Sequence, residues 1–210
     1  MTQGPAASLA GMVADPRVDA LKRALATRTP VTLAREPDER EAAVALVIRP
    51  REQLELLLIK RAVRETDPWS GHMALPGGRR APDDVTLLET AIRETVEETG
   101  VDLSSYGRVL GPLDELAPRN RRLPPIVIAP FVAVVPPGTL AVADGREVET
   151  TLWIPVSALR DDAAVSEILI ELQDGGSKAF PSFVYKDHVI WGLTHRILTQ
   201  FIDVLELAGL

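Results

Sequence analysis

The chain lacks cysteine altogether, which excludes disulfide bonds, thiol nucleophiles and zinc sites built from cysteine. It also lacks any apolar run near the ~18 residues that a membrane-spanning helix needs. Its N-terminus has no basic stretch followed by an apolar one, as a secretory signal would have. The net charge of −7 is the opposite of the basic excess that favours nucleic-acid backbones. We therefore expect a soluble, cytoplasmic protein that binds neither membrane nor nucleic acid.

The apolar content is sufficient for a sizeable core. The chain has 210 residues, of which 46% are hydrophobic, and this length fits one domain with short extensions. Residues 1–14 are small and contain Gly, Ala and Pro, so we expect a flexible N-terminal tail. Residues 15–210 are predicted to form a single domain, which begins with a short helix at Asp15-Pro16 and ends with a helix over about 188–207.

Short aliphatic runs between these helices predict β-strands. Two of them, residues 42–48 and 54–59, are joined by a turn. Further strands are predicted near residues 107–112, 126–135, 150–154, 167–172 and 181–185. Because strands lie on both sides of a central helix and further helices lie outside, the sequence predicts an α/β sandwich with a mixed sheet.

The central helix has clear boundaries in the sequence. Thr86 followed three residues later by Glu89 fits a capping box, and Gly100 suits the left-handed position at which many helices end. The helix is therefore predicted over residues 87–99. The side predicted to face the core carries Leu88, Ile92, Val96 and Thr99.

Glu94, Glu97 and Glu98 are spaced i, i+3, i+4, so that a helix places them side by side. Like charges at such spacings repel by roughly 0.2–0.5 kcal/mol per pair. A divalent cation turns this repulsion into ligation, because Mg²⁺ prefers carboxylate oxygens and usually also binds substrate phosphates. The stripe predicts a metal site. The alternative is a solvated acidic face on which Arg93 pairs with Glu97.

Glycines before this helix make the pattern more specific. It resembles the box that defines Nudix hydrolases, G-x5-E-x7-R-E-U-x-E-E-x-G-U with U apolar, through Gly77-Gly78, Asp84 and residues 93–101. Asp84 stands where the box has Glu, eight residues instead of seven separate it from Arg93, and Thr95 takes an apolar position. The resemblance implies a Nudix-type α/β/α sandwich with a mixed β-sheet. It also implies a metal-dependent hydrolase of pyrophosphates joined to a nucleoside.

The flanking segments resemble one branch of this family, the coenzyme A pyrophosphatases. The similarity covers about residues 40–205 and lies in residues 57–62, 70–78, 127–132, 145–148 and 190–194. It implies that coenzyme A or its derivatives are cleaved to 3′,5′-ADP and 4′-phosphopantetheine. The chain departs from that branch at His72, Leu75 and Ile59, which stand for Gln, Phe and Thr.

The resemblance also assigns roles around the acidic stripe. It implies that Glu94, Glu97 and Glu98 bind Mg²⁺ or Mn²⁺, with Glu97 and Glu98 acting in catalysis. Arg93 is implied to pair with a glutamate and orient it. The pair Gly77-Gly78 is implied to let the backbone approach the metals and the substrate.

Residues outside the box complete the predicted site. Glu147 resembles the glutamate of a D-E-V segment and is a candidate general base or additional metal ligand. Glu97 or Glu98 could act as the base instead, and Glu147 would then be a surface carboxylate. Arg61 matches a family position and is our first choice for binding the 3′-phosphate, with the arginines of residues 119–122 as the second. His72 is interpreted as a structural histidine or a phosphate contact.

Three functions are compatible with these residues. The first is hydrolysis of coenzyme A or its derivatives. The second, within the same class, is hydrolysis of ADP-ribose, another dinucleotide or a nucleoside triphosphate. The third is a non-catalytic Nudix-fold module that binds a ligand, against which the intact set of three glutamates argues. The expected partner is a small-molecule nucleotide, and a homodimer is left open.

Overall fold

The computed structural model describes residues 15–36, 38–64, 70–118, 125–171 and 176–210. The tail of residues 1–14, which we predicted to be flexible, lies outside these ranges. Three α-helices occur within them: α1 (Pro16–Thr27), α2 (Leu87–Thr99) and α3 (Gly192–Leu207). No helix in this part of the chain is long and apolar enough to cross a membrane.

Ten strands lie in the same ranges and form two sheets. They are β1 (Arg40–Pro50), β2 (Leu54–Arg61), β3 (Met73–Ala74), β4 (Gly77–Arg79), β5 (Arg108–Pro112), β6 (Ile126–Val134), β7 (Val148–Pro155), β8 (Val165–Glu171), β9 (Ser177–Tyr185) and β10 (His188–Trp191). Short 3₁₀ helices at Val156–Leu159 and Asp162–Ala164 connect β7 to β8.

The larger sheet is mixed, as the sequence predicted. Its central strand β1 runs parallel to β6 and antiparallel to β2 and β4. The sheet continues through the antiparallel pairs of β5 with β6, of β7 with β2 and of β3 with β2. The smaller sheet is antiparallel, in the order β10-β9-β8.

Helices cover both faces of the larger sheet, because β1 buries its side chains on both sides. Ala43 and Val47 alternate with Leu46 and Ile48 along the strand. The first two belong to a hydrophobic cluster that includes Ala91 of α2. The other two belong to a second cluster, to which α1 and α3 contribute. The predicted α/β/α sandwich is therefore confirmed.

The predicted boundaries of α2 are confirmed, but its predicted core side is partly wrong. Thr99 is buried as predicted, whereas Val96 is 38% exposed, and Leu88 and Ile92 are only half-buried. The buried side carries Thr90, Ala91, Thr95, Glu98 and Thr99. The buried hydroxyls of Thr95 and Thr99 donate to backbone carbonyls one turn earlier, each at 2.6 Å, so their burial leaves no unsatisfied group.

The last helix begins later than predicted. Residues 188–191 form β10 instead, in which Trp191 pairs with Ser182 of β9. The prediction that His188 and Trp191 lie on the final helix is therefore wrong, since a short apolar run with Val and Ile suits a strand equally well. Helix α3 starts after this strand at Gly192, whose φ is +67°.

Candidate active site

Glu98 is buried at the junction of α2 and β4. The residue is 4% exposed, and its Oε2 accepts the backbone N–H of Gly77 at 2.8 Å. Burial raises the pKa of Glu98 to about 8, even though the Gly77 N–H and the charge of Arg61 act in the opposite direction. The charges of Glu94 and Glu147 raise this pKa further. A buried carboxyl with two acidic neighbours is a group whose ionised form a cation would stabilise.

Glu94 lies against the second glycine of the pair. A Cβ atom at Gly78 would stand 2.5 Å from the Glu94 carboxylate, so the close approach of this carboxylate requires glycine. A side chain at Gly77 would collide with the backbone of Ala43 and Val44, and the φ of Gly77 is +152°. Burial raises the pKa of Glu94, and Arg93 opposes the rise. Contact of the glycines with substrate stays a prediction.

Arg93 connects several of the acidic groups. Its Nη1 donates to Glu94 Oε1 at 2.9 Å and to Glu97 Oε2 at 3.2 Å. Its Nε and Nη2 donate to the two carboxylate oxygens of Asp84 at 3.1 and 2.9 Å. The expected pairing of Arg93 with glutamate is present. The bidentate bond to Asp84 was not foreseen.

The hydrogen bonds of Asp84 were not predicted from the sequence. This residue is 8% exposed and also accepts the Ala81 N–H at 2.8 Å and the Thr90 hydroxyl at 2.9 Å. Arg93 holds the pKa of Asp84 well below its usual range, although burial opposes this. From the sequence, Asp84 was interpreted only as a departure from the Nudix box, which has Glu at this position. The structure makes it the acceptor that fixes Arg93 beside Glu94 and Glu97.

The donor set fits a divalent metal ion. Its candidate ligands are carboxylate oxygens, which hard cations such as Mg²⁺ and Mn²⁺ prefer. The side chain of Glu97 is 57% exposed, and Glu94 and Glu97 both accept from Arg93. Among the described residues, no three acidic or histidine side chains converge tightly enough to enclose an ion as they stand. Metal binding would therefore require the three carboxylates to move closer together.

Glu147 immediately precedes β7. Its charge raises the pKa of both Glu94 and Glu98, which places it near them. Its Oε1 is 3.6 Å from Arg64 Nη1, and its side chain is largely exposed. Glu149, a weaker alternative, instead pairs with Lys60 at 2.7 Å.

Arg61 ends β2 close to the acidic stripe. Its positive charge lowers the pKa of Glu98, so the guanidinium acts on the candidate metal site. Its backbone N–H donates to the carbonyl of His72 at 3.0 Å. The imidazole of His72 contacts the ring of Trp191 edge-on, with centroids 5.0 Å apart. Trp69, which the sequence predicts either to stack on a base or close the pocket or to be a buried structural indole, lies outside the described residues, as do residues 119–122.

Known proteins with similar sequences or folds include members of the Nudix family. A model of the NUDIX domain family matches residues 38–172. An uncharacterised protein of Schizosaccharomyces pombe is 36% identical over 132 residues, which are 61% of this chain but 40% of that protein. The uncharacterised Nudix hydrolase NudL of Yersinia pestis is 31% identical over 159 residues, 76% of each chain. A crystal structure of a Caenorhabditis elegans Ap4A hydrolase has a TM-score of 0.51 at 19% identity, covering 81% of this chain and 99% of that one.

The family model covers more than half of the chain, and the Yersinia relative matches over three quarters of both sequences. The chain therefore belongs to the Nudix family. The prediction of a Nudix pyrophosphohydrolase is confirmed at the level of family and enzyme class. Nudix hydrolases generally use divalent metal ions, which agrees with the carboxylate donor set.

Proposed function

We propose that this chain hydrolyses the pyrophosphate of a nucleoside diphosphate derivative, with Mg²⁺ or Mn²⁺ bound by Glu94, Glu97 and Glu98. The observation that carries the proposal is the packing of two buried or half-buried carboxyl groups, Glu94 and Glu98, against the glycine pair. Burial raises the pKa of both groups. Arg93 and the Gly77 N–H thus compensate the ionised forms only in part, and a divalent cation would stabilise them further.

The reaction needs a base as well as charge neutralisation. A bound divalent ion would neutralise phosphate oxygens and lower the pKa of a water molecule. Glu147 accepts a proton from the attacking water, whose oxygen bonds to phosphorus as the bridging oxygen leaves with its electron pair. The nearness of Glu147 to Glu94 and Glu98 supports this role. Glu97 or Glu98 is the alternative base.

Coenzyme A and its derivatives are the substrates we propose, with 3′,5′-ADP and 4′-phosphopantetheine as products. The support is the similarity of residues 57–62, 127–132 and 190–194 to the coenzyme A branch. The position of Arg61 modifies our expectation for its role. Because its charge reaches Glu98, a contact with the pyrophosphate is favoured over a contact with the 3′-phosphate.

A second candidate function is hydrolysis of ADP-ribose, another dinucleotide or a nucleoside triphosphate. The observation that favours it is the set of departures at Ile59, His72 and Leu75. Ile59 lies on β2, and His72 and Leu75 lie between β2 and β4, the strand that begins with the glycine pair. These departures leave the three glutamates of α2 unchanged, so they bear on the identity of the substrate and not on the chemistry of hydrolysis.

The deciding experiment is product analysis by mass spectrometry on a substrate panel. The panel contains coenzyme A, dephospho-coenzyme A, ADP-ribose, NADH, diadenosine polyphosphates and nucleoside triphosphates, each with Mg²⁺, with Mn²⁺ and with EDTA. We expect coenzyme A to give the highest kcat/KM and EDTA to abolish turnover. An advantage of ADP-ribose by roughly tenfold, or 1.4 kcal/mol in transition-state free energy, would overturn the coenzyme A proposal. Metal-independent turnover would overturn the metal site.

A further inference from the structure

We propose that Asp144 is a positioning residue, which holds Glu147 beside the acidic stripe of α2. Asp144 lies three residues before Glu147, in the loop that leads into β7. Its Oδ1 accepts the backbone N–H groups of Arg146, Glu147 and Val148 at 3.1, 3.0 and 2.8 Å. The proposal rests on the proposed function, in which Glu147 takes part in catalysis.

The backbone of Asp144 binds the helix that carries the candidate ligands. Its N–H donates to the carbonyl of Glu98 at 3.3 Å, and the N–H of Val142 donates to the carbonyl of Thr99 at 2.9 Å. The carbonyls in the last turn of a helix have no partner within the helix, so this loop supplies one. Asp144 therefore binds the backbone of Glu98 with its N–H and the backbone of Glu147 with its carboxylate.

Two further features of the loop show how the Asp144 carboxylate affects the position of Glu147. The carbonyl of Glu147 accepts the Ala62 N–H at 2.8 Å, which fixes the loop to the end of β2. Gly145 has a φ of +72°, the left-handed conformation that lets the chain turn back toward Asp144. Removal of the Asp144 carboxylate would leave the backbone bonds of the loop to β2 and to α2, but it would release the N–H groups of Arg146, Glu147 and Val148. Glu147 would then be held less firmly beside Glu94 and Glu98, the two groups whose pKa its charge raises.

Aspartate suits this position because its short side chain can reach the N–H groups of the following turn. Asparagine would keep one carbonyl oxygen of the same reach, whereas alanine would keep none. Since Oδ1 is the oxygen that accepts all three N–H groups, Asp144→Asn should preserve the turn. A comparison of Asp144→Asn with Asp144→Ala therefore distinguishes a hydrogen-bonding role of Asp144 from a role of its negative charge.

The kinetic experiment compares Asp144→Ala, Asp144→Asn and Glu147→Gln on the substrate that the wild-type enzyme cleaves fastest. We expect Asp144→Ala to lower kcat by roughly 10–100-fold, the range in which small displacements of catalytic groups act. Asp144→Asn should restore most of kcat. The double variant Asp144→Ala with Glu147→Gln should be no slower than Glu147→Gln alone, because both changes remove the same contribution. Independent, multiplicative losses would overturn the proposal.

Asp102→Ala is the matched control. Asp102 also accepts two backbone N–H groups from the residues that follow, those of Ser104 and Ser105, each at 2.9 Å, together with the Ser105 hydroxyl. It lies in the turn after α2 and takes no part in the proposed site. We expect a comparable loss of stability without loss of kcat. An equal fall of kcat in both variants would make Asp144 a general stabiliser of the fold.

A measurement without turnover separates this proposal from the proposed function. Bound Mn²⁺ broadens amide resonances with a steep dependence on distance. We expect strong broadening at the Glu147 amide in the wild-type protein and in Asp144→Asn, and clearly weaker broadening in Asp144→Ala. Unchanged broadening in Asp144→Ala, or none in the wild-type protein, overturns the positioning role. If the broadening follows this pattern but the wild-type protein hydrolyses no member of the substrate panel, only the proposed function is overturned.

Discussion

Arg93 binds Asp84 with two parallel hydrogen bonds, from Nε to Oδ1 at 3.1 Å and from Nη2 to Oδ2 at 2.9 Å. Arg93 lies nine positions after Asp84, so the bond closes the segment before α2 onto the helix. The same guanidinium reaches Glu94 and Glu97. Asp84 therefore determines where Arg93 lies, and Arg93 determines where two candidate metal ligands lie.

We predict that Asp84→Ala lowers the free energy of unfolding by about 1–3 kcal/mol, the cost of leaving a charged group without its hydrogen-bond partner. The estimate is below that of a fully buried ion pair because nearly a third of the Arg93 side chain is exposed. Urea denaturation measures the change. The control is Asp203→Ala on an exposed site of α3, which should stay within about 0.5 kcal/mol of wild type. Equal values for both variants would contradict the prediction.

A second prediction concerns the metal ligands. The double variant Glu97→Gln with Glu98→Gln should lower kcat by roughly 10² or more, because loss of a metal ion or of water activation is worth several kcal/mol. The circular dichroism spectrum should remain that of the wild type. Glu206→Gln, an exposed glutamate of α3, is the matched control and should keep full activity. Full activity in the double variant would refute the site.

Local signals in the sequence were sufficient for the boundaries of α2. Thr86 and Glu89 do form a capping box, and Gly100 is left-handed, because a helix end is determined by a few neighbouring residues. The inward side of α2 was harder to predict. Thr95 is polar and was not predicted to face the core, but its hydroxyl donates to the carbonyl of Ala91, so the side chain is buried without an unsatisfied group.

Contacts distant in sequence account for what could not be predicted. The pattern of the box placed Glu94, Glu97 and Glu98 together, since they share one helix. It could not indicate that Asp84 would be the acceptor for Arg93, because that depends on the path of the loop after β4. Nor could it indicate that the loop before Glu147 would bind the end of α2. Such contacts follow from the arrangement of the sheet and the helix.

The raised pKa of Glu98 predicts how stability depends on pH in the absence of metal. Its ordinary value is 4.5 and its value in the fold is about 8. Between these values the folded protein holds a proton that the unfolded chain has lost, so the free energy of unfolding falls as pH rises. Thermal melting in EDTA should show this decrease. In Glu98→Gln the decrease should be smaller, since this contribution is removed; an unchanged slope would contradict the assignment to Glu98.

Metal ions should reverse this trend. Because a carboxylate ligand must be ionised, Mg²⁺ or Mn²⁺ should raise the melting temperature more at the upper end of this pH range than at the lower end. Calorimetry in buffers with different ionisation enthalpies should detect the proton released on binding. If the metal ion stabilises the wild-type protein and Glu98→Gln equally, Glu98 is not a ligand.

The role of Glu147 is tested by separating kcat from KM. A general base acts on the attacking water, so Glu147→Gln should lower kcat and leave KM nearly unchanged. Loss of the base should also remove or shift the acidic limb of the pH–rate profile. Glu149→Gln, two residues later and paired with Lys60, is the matched control and should retain kcat. A change confined to KM would make Glu147 a binding group.

Arg61→Ala is expected to slow the hydrolysis of coenzyme A and of dephospho-coenzyme A by the same factor. The reason is that the charge of Arg61 acts on Glu98, at the position where the pyrophosphate must lie if α2 binds the metal ions. Loss of a charge-assisted hydrogen bond should cost about 1.5–3 kcal/mol, or roughly 10–150-fold in kcat/KM. Steady-state kinetics on both substrates measure the factor. Lys60→Ala, one residue earlier and paired with the exposed Glu149, is the control for loss of a nearby positive charge. A loss restricted to coenzyme A would instead assign Arg61 to the 3′-phosphate, the group that dephospho-coenzyme A lacks.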